Sequence, residues 1–370
     1  MPEAIFVVHL DDYQGFVVEK RYPSTLTLNE KMLNLVYYEH EKEKETNLKF
    51  SDTEGMRVVS FADGTHPGWV VCFVLDADED YETEDNNMEG MARLILELMS
   101  EAPDVVNLRD ILVNESVLNE QNEEQKLASI FFTPSSALLL EKLEMEGVEK
   151  AAKISIWLQT QLQTDTIELR DVVEPLMQSG VVKVELLSKI GETVFLIKDI
   201  FGYRAPPVKS IMRAMEMDPE MGKKYKQLVS TFFSPPSGKG YNPSLPVDDP
   251  NSPLLEDREK MSRLLSKSLH YVVLECLREG PQEIVNISQK TALPLEIVQS
   301  ILWSFESDRV AAQLDEYGIW VLVTDPVIES FMPEFILPVI SKKLADKELA
   351  PETARRHLEL LIETWGEIHD

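Results

Sequence analysis

Two hydrophobic periods alternate through the first hundred residues. Residues 4–10 (AIFVVHL) and 15–22 (GFVVEKRY) are β-branched and aromatic runs separated by the turn-rich Asp11-Asp12-Tyr13-Gln14, and they predict a hairpin. Residues 28–45 change to helical spacing, with Asn29 or Thr27 placed to cap the helix. Three more strands are predicted at 47–52, 56–63 and 68–78, the last two divided by the turn cluster ADGTHPG. A helix at 88–100 then sets Met91, Leu94, Ile95 and Leu98 on one face. The order is β-β-α-β-β-β-α.

A polar stretch at 114–126 opens a different pattern. Helices are predicted at 136–147, 148–159 and 166–180, the last stopping at Gly180, and residues 181–200 (VVKVELLSKIGETVFLIKDI) read as a hairpin broken at Lys189-Ile190-Gly191-Glu192. Leu169, Val173 and Leu176 have core spacing on the third helix. The same grammar returns with helices at 266–280, 281–292 and 294–308, followed by strands at 309–316 and 317–325. Val298, Leu302 and Phe305 repeat the earlier spacing, and Pro294 suits a first helical position. Three helices running through a stop into a two-stranded wing is the plan of a winged helix-turn-helix, so the pattern is read as an internal duplication covering 130–207 and 262–326. Between the copies, 208–261 reads as a helix (208–233) and a proline-rich linker (234–253). Residues 327–370 supply two C-terminal helices, the last with Leu358, Leu361, Ile362 and Trp365 on a stripe suited to docking on a neighbour.

Composition sharpens this picture. A chain of 370 residues suits two or three domains, and its 44% hydrophobic content with 36 prolines and glycines together is that of a globular protein. The 65 acidic against 36 basic residues give a formal charge of −29, a field that repels a polyanion before contact. Nucleic acid is therefore an unfavoured general partner. Cys72 and Cys276 stand in separate apolar runs and form neither a disulfide framework nor a zinc spacing. No apolar stretch approaches the roughly 20 residues of a membrane span, and a cytoplasmic location is the simplest expectation.

Motifs that suggest chemistry fail where the chemistry is strict. In DADEDYETED (76–85), Asp76, Asp78 and Asp80 have calcium-loop spacing, but Tyr81 stands where the turn needs glycine and Asn87 where a bidentate Glu is required, so a solvated loop is expected. SGKG (237–240) lies in the proline-rich stretch without the Ser or Thr of a phosphate loop. The six histidines are dispersed, and no residue set is assigned to catalysis, a metal or a cofactor. A DNA-reading third helix needs Arg, Lys, Asn or Gln toward the groove. Helix 166–180 instead carries Glu168, Asp171 and Glu174 against Arg170 alone, and 294–308 carries Glu296, Glu306 and Asp308 with no base. Lys198, Arg204, Lys209, Arg213, Lys223, Lys224 and Lys226 are a candidate basic ridge, which either pairs with the acidic remainder of the chain or meets an anionic partner.

The opening order, with its hairpin IFVVHLDDYQGFVVEKRYP, resembles the longin domain of the roadblock and longin superfamily over residues 1–115. That resemblance implies an α+β fold: a five-stranded antiparallel sheet with helices on one face, ahead of the two winged helices. It also implies binding of small GTPases or of longin and roadblock proteins, without catalytic residues. The longin order followed by tandem winged helices, and the passage LMQSGVVKVELL in particular, resembles nitrogen permease regulator-like proteins and archaeal longin and winged-helix proteins. The leading expectation is a non-enzymatic scaffold or small-GTPase regulatory adaptor. The alternative is a winged-helix transcriptional regulator with a longin-like sensing or dimerisation domain; a subunit of a membrane-remodelling assembly is also compatible. On the first expectation the second or third strand is an exposed edge, and Phe16 and Tyr38 contribute to the partner face, near Leu33, Leu35, Val36 and Tyr37 of the first helix.

Overall fold

The structure is a computed structural model that describes residues 2–11, 15–42, 48–53, 56–63, 66–75, 81–113, 122–131, 133–163, 167, 169–188, 190–235, 240–245, 249, 252–314 and 316–369. Its first elements are β1 (Ala4–Asp11), β2 (Gly15–Tyr22), α1 (Glu30–Lys42), β3 (Leu48–Thr53), β4 (Met56–Phe61), β5 (Trp69–Leu75), α2 (Tyr81–Glu101) and α3 (Leu108–Val113). Then come α4 (Glu123–Ser129), α5 (Pro134–Glu146), β6 (Val148–Lys150), α6 (Ala151–Leu162), α7 (Leu169–Gln178), β7 (Val182–Leu187), β8 (Gly191–Leu196) and β9 (Asp199–Ala205). Helices α8 (Val208–Met217), α9 (Pro219–Phe233), α10 (Leu254–Leu265), α11 (Ser268–Glu279), α12 (Ile284–Thr291) and α13 (Leu295–Ser307) follow. The chain closes with β10 (Ala311–Leu314), β11 (Ile319–Leu322), β12 (Asp325–Phe331), α14 (Leu337–Ala345) and α15 (Pro351–His369).

These elements form two compact units, each assembled from three stretches of chain. The first unit combines Met1–Gln121, Val208–Tyr225 and Lys267–Leu322. Its centre is a five-stranded antiparallel sheet in the order β2-β1-β5-β4-β3. Because side chains alternate along a strand, Ala4, Phe6, Val8, Val58, Val70, Cys72 and Val74 meet Met32, Leu33 and Val36 of α1 on one face. Ile5, Val7, Val59, Val71 and Phe73 are fully buried at the alternate positions, on the face where α2 packs. Helices therefore cover both faces of the sheet, which corrects the one-sided arrangement expected above. The apolar run WVVCFVL of β5 carries the reason: a half-exposed strand would alternate, whereas this one is apolar on both sides.

In the same unit, α11, α12 and α13 precede the β10–β11 hairpin, and Gln282, between α11 and α12, forms an antiparallel bridge to Trp320 on β11. Val298, Leu302 and Phe305 are fully buried. The start of α11 has no side-chain cap of its own. Glu97 of α2 supplies it, its two carboxylate oxygens accepting the N–H groups of Ser268 at 2.8 Å and Leu269 at 2.9 Å. Burial pushes the Glu97 pKa up, and the two N–H donors oppose that shift.

The second unit combines Asn122–Pro207, Lys226–Ser266 and Val323–Asp370. Here α5, β6, α6 and α7 precede the β7–β8 hairpin, and the strands lie in the order β6-β8-β7. Both units thus contain the sequence helix, strand or bridge, helix, helix, hairpin. Val173 and Leu176 are buried. Gly180 ends α7 at φ 68°, a conformation a β-carbon would strain, and lets Val181 donate to the Leu176 carbonyl at 2.9 Å. Leu360 of α15 packs on Val148, Phe195 and Ile197, His357 Nε2 lies 2.7 Å from the Leu196 carbonyl, and Arg356 binds Glu185 through two hydrogen bonds of 2.7 Å. A separate ribbon pairs β9 with β12 and rests on α10 and α4.

Several elements differ from expectation. The predicted helix 208–233 breaks into α8 and α9, because Pro219 cannot continue a helix and Asp218 accepts the N–H of Glu220 at 2.8 Å as a cap. The predicted helix 148–159 yields its first residues to β6. The acidic run 76–85 was expected as a loop; residues 76–80 lie outside the described residues, but α2 begins at Tyr81, where acidic sequence suits the positive end of a helix. Among the described residues no helix is long and apolar enough to cross a membrane.

Replacing Glu97 with Ala removes both acceptors at the start of α11. Urea unfolding is expected to register a loss of about 1–2 kcal/mol. In the second unit Asp199 is buried, and desolvation followed by the neighbouring Glu144 carboxylate raises its pKa from 3.8 to about 7, while Arg258 pulls the other way. From about pH 4 to about pH 7 the folded chain holds a proton that the unfolded chain has released, so this contribution to stability falls as pH rises. His357, buried with its pKa lowered to about 4, has the opposite slope. The readout is therefore the difference between wild type and Asp199→Asn, which is expected to grow across that window in favour of the Asn variant.

Candidate functional site

A face for a partner must come from surfaces the core leaves over. In the five-stranded sheet those are the end strands β2 and β3 and the outer side of α1. The two ends differ. Phe50 of β3 is 39% exposed and lies under the Arg57 guanidinium, 5.4 Å from the ring centre. β2 starts at Gly15, at φ 75°, and runs Phe16-Val17-Val18 before the charged Glu19-Lys20-Arg21. Lys20 Nζ donates to the Val106 carbonyl at 3.3 Å, and Arg21 donates to that of Leu26 at 3.1 Å. Charge on an edge strand discourages strand addition, so the apolar half beside Phe16 is the receptive part.

Asn29 caps α1, accepting the Met32 N–H at 2.7 Å. Two stripes follow from that start. Met32, Leu33 and Val36 face the sheet, whereas Lys31, Asn34, Leu35 and Tyr38, spaced i, i+3, i+4, i+7, face outward. With Phe16 and Tyr37 they line an open depression of about 560 Å³. The Phe16 and Tyr37 rings are 5.3 Å apart and tilted, and Phe16 also touches the core beneath. Tyr38 is 57% exposed. Phe16 and Tyr38 are thus brought to one depression, while Leu33 and Val36 belong to the core. Leu35 and Tyr37, named with them, line it too, whereas Lys31 and Asn34 were missed because polar residues interrupt the apolar pattern on which the sequence reading rested. Farther along α1, His40 is held neutral, its pKa lowered to about 4 by burial and then by Lys49, with Ser60 Oγ 3.0 Å from Nε2.

The seven residues of the basic ridge meet different fates. Arg204 is buried and donates to Asp257 at 2.8 Å, Lys223 pairs with Glu220 at 2.7 Å, and Lys224 pairs with Glu316. Arg213 pairs with Glu216 at 3.0 Å on the surface. Lys209 and Lys226 are exposed and Lys198 is half-buried. Lys198, Arg204 and Lys226 belong to the second unit and the other four to the first. Most of the SGKG motif lies outside the described residues. Comparison of the chain with protein-family models and with curated proteins finds no match.

Proposed function

We propose that this chain is a non-enzymatic, cytoplasmic protein-interaction scaffold of the small-GTPase regulatory adaptor kind, built from a longin-like domain and two protein-binding winged helices. The five-stranded antiparallel sheet in the order β2-β1-β5-β4-β3, following the element order β-β-α-β-β-β-α, supports the longin-like reading. The element order common to α5–β8 and α11–β11 supports the winged-helix reading. The observation that carries the function is the depression between β2 and α1. It sets Leu35, Tyr37 and Tyr38 beside the apolar half of an end strand, in the manner of surfaces that receive another chain. A Ras-like GTPase or a longin or roadblock protein is the partner class.

Affinity capture from lysate with Tyr38→Glu beside wild type tests this. The variant is expected to lose Ras-like GTPases or roadblock proteins while melting at nearly the wild-type temperature, because an exposed rim position accepts charge. Loss of stability would place Tyr38 in the core; retention of the partners would place their site elsewhere. For nucleic acid, the third helices offer carboxylates and, on α13, an exposed Trp303. Duplex DNA is expected to bind no better than the roughly 10⁻⁴–10⁻⁶ M of non-specific contact at physiological salt. A nanomolar footprint abolished by changing Arg170 would replace the adaptor reading with that of a transcriptional regulator.

A further inference from the structure

In the second unit a cavity of about 360 Å³ opens between β6, the start of α6 and the β7–β8 turn on one side and the connection from α14 to α15 on the other. Every residue lining it belongs to that unit. Its apolar wall includes the buried Val148 and also Leu349, which packs on the core cluster that contains Val148. Thr353 lines the cavity as well and is only 3% exposed. Among the described residues neither the Thr353 hydroxyl nor its N–H has a hydrogen-bond partner. A buried donor left unmet is costly, so the acceptor for this one comes from whatever occupies the cavity. The N–H is free because Thr353 is the third residue of the 19-residue α15, in the first turn, where no carbonyl lies four residues back within the helix. The positive end of the helix dipole is thus set at the cavity wall.

The ionised residues of the lining do not cancel. Three lysines, Lys150, Lys153 and Lys347, stand against two glutamates, Glu149 and Glu348, which leaves an excess of one positive charge. Glu149 is already engaged: its Oε1 accepts the Lys150 backbone N–H at 2.9 Å and lies 3.4 Å from Lys153 Nζ. Glu348 is exposed to water. Among the described residues the Lys150 and Lys347 ammonium groups have no carboxylate within ion-pair distance. We propose that this cavity binds a small organic anion, a carboxylate or phosphate on a short apolar body. The head group accepts from the Thr353 hydroxyl and N–H, with Lys150 and Lys347 supplying the opposite charge, and the body rests against Val148 and Leu349. An oxyanion head fits because it is an acceptor without donors, which is what a free N–H and hydroxyl at a helix start require. A body is needed because the volume lies within the range of ligand pockets, and a bare ion would leave the apolar wall in contact with water. This site is independent of the depression between β2 and α1.

Isothermal titration calorimetry with the full chain tests the proposal, using hexyl phosphate and hexanoate as probes and hexanol and hexylamine as controls. At least one of the two anions is expected to bind with a Kd on the order of 10⁻⁴ M or tighter, weakening as salt rises. The tighter of the two identifies the head group. Thr353→Val keeps the shape of the side chain and removes the hydroxyl, and it is expected to weaken binding roughly five- to tenfold. Lys150→Gln combined with Lys347→Gln changes two exposed positions and is expected to weaken it about tenfold, with an unchanged melting temperature verifying that the protein remains folded. Should Thr353→Val destabilise the chain, the lysine pair alone decides. Absence of binding by both anions at millimolar concentration, equal binding of hexanol or hexylamine, or wild-type affinity in the folded variants would overturn the proposal.

Discussion

The Glu97 carboxylate is the tie on which the first unit depends. It lies on α2, which also packs on the sheet, and it caps a helix whose first residues are 171 and 172 positions farther along the chain. An uncapped helix start leaves N–H donors without acceptors, and a carboxylate from elsewhere in the fold satisfies them as well as a local cap while adding favourable charge at the positive end of the dipole. Through this contact α2 joins two segments that the sequence keeps far apart. With the sheet covered on one face by α1 and on the other by α2, the surfaces left to meet another molecule are strand edges and the outer sides of helices.

The second unit uses the same device with opposite polarity. Arg204 on β9 reaches Asp257 on α10, Arg258 reaches Glu144 on α5 at 2.9 Å, and Arg356 on α15 grips Glu185 on the β7 edge. Each tie crosses a long loop in the chain, and each is a charged hydrogen bond, which is stronger than a neutral one and fixes direction as well as distance. Tyr241, in the proline-rich segment read as a linker, accepts the Arg204 backbone N–H at 2.9 Å and packs among Phe232 and Phe233. One aromatic residue can anchor a segment whose composition supports no core.

These ties also explain what could and could not be read from the sequence. Periodicity is local, so β2, α1, α7 and α13 were visible in their own residues, as was the glycine stop before β7, and of the two caps open for α1, Asn29 and Thr27, the structure uses Asn29. The β9–β12 ribbon escaped because Asp199–Ala205 pairs with Asp325–Phe331, two short strands whose partners no window includes together. Helix α10 was not predicted, its residues falling at the end of the 208–261 segment and the start of the second winged helix, although Leu254, Met261, Leu264 and Leu265 are buried, since its charged intervening residues dilute the stripe. On α1 the apolar residues Leu33, Leu35, Val36, Tyr37 and Tyr38 run almost without a break, so periodicity alone could not divide the stripe that faces the sheet from the one that faces outward. Glu97 carried no signal: nothing in the residues around it distinguishes a carboxylate that caps a remote helix from one that faces water.

The electrostatics follow from the same commitments. Binding a polyanion by counterion release needs many cations presented together, and here Arg204, Lys223 and Lys224 are engaged with carboxylates of the chain. In the depression between β2 and α1, Lys31 lies beside Leu35 and Tyr38. A few charges at the rim of an apolar patch set the orientation and encounter rate of a protein partner while the apolar anchors hold it. On the adaptor reading proposed above, such an arrangement serves a protein surface rather than nucleic acid, in keeping with a net charge of −29 that repels a polyanion.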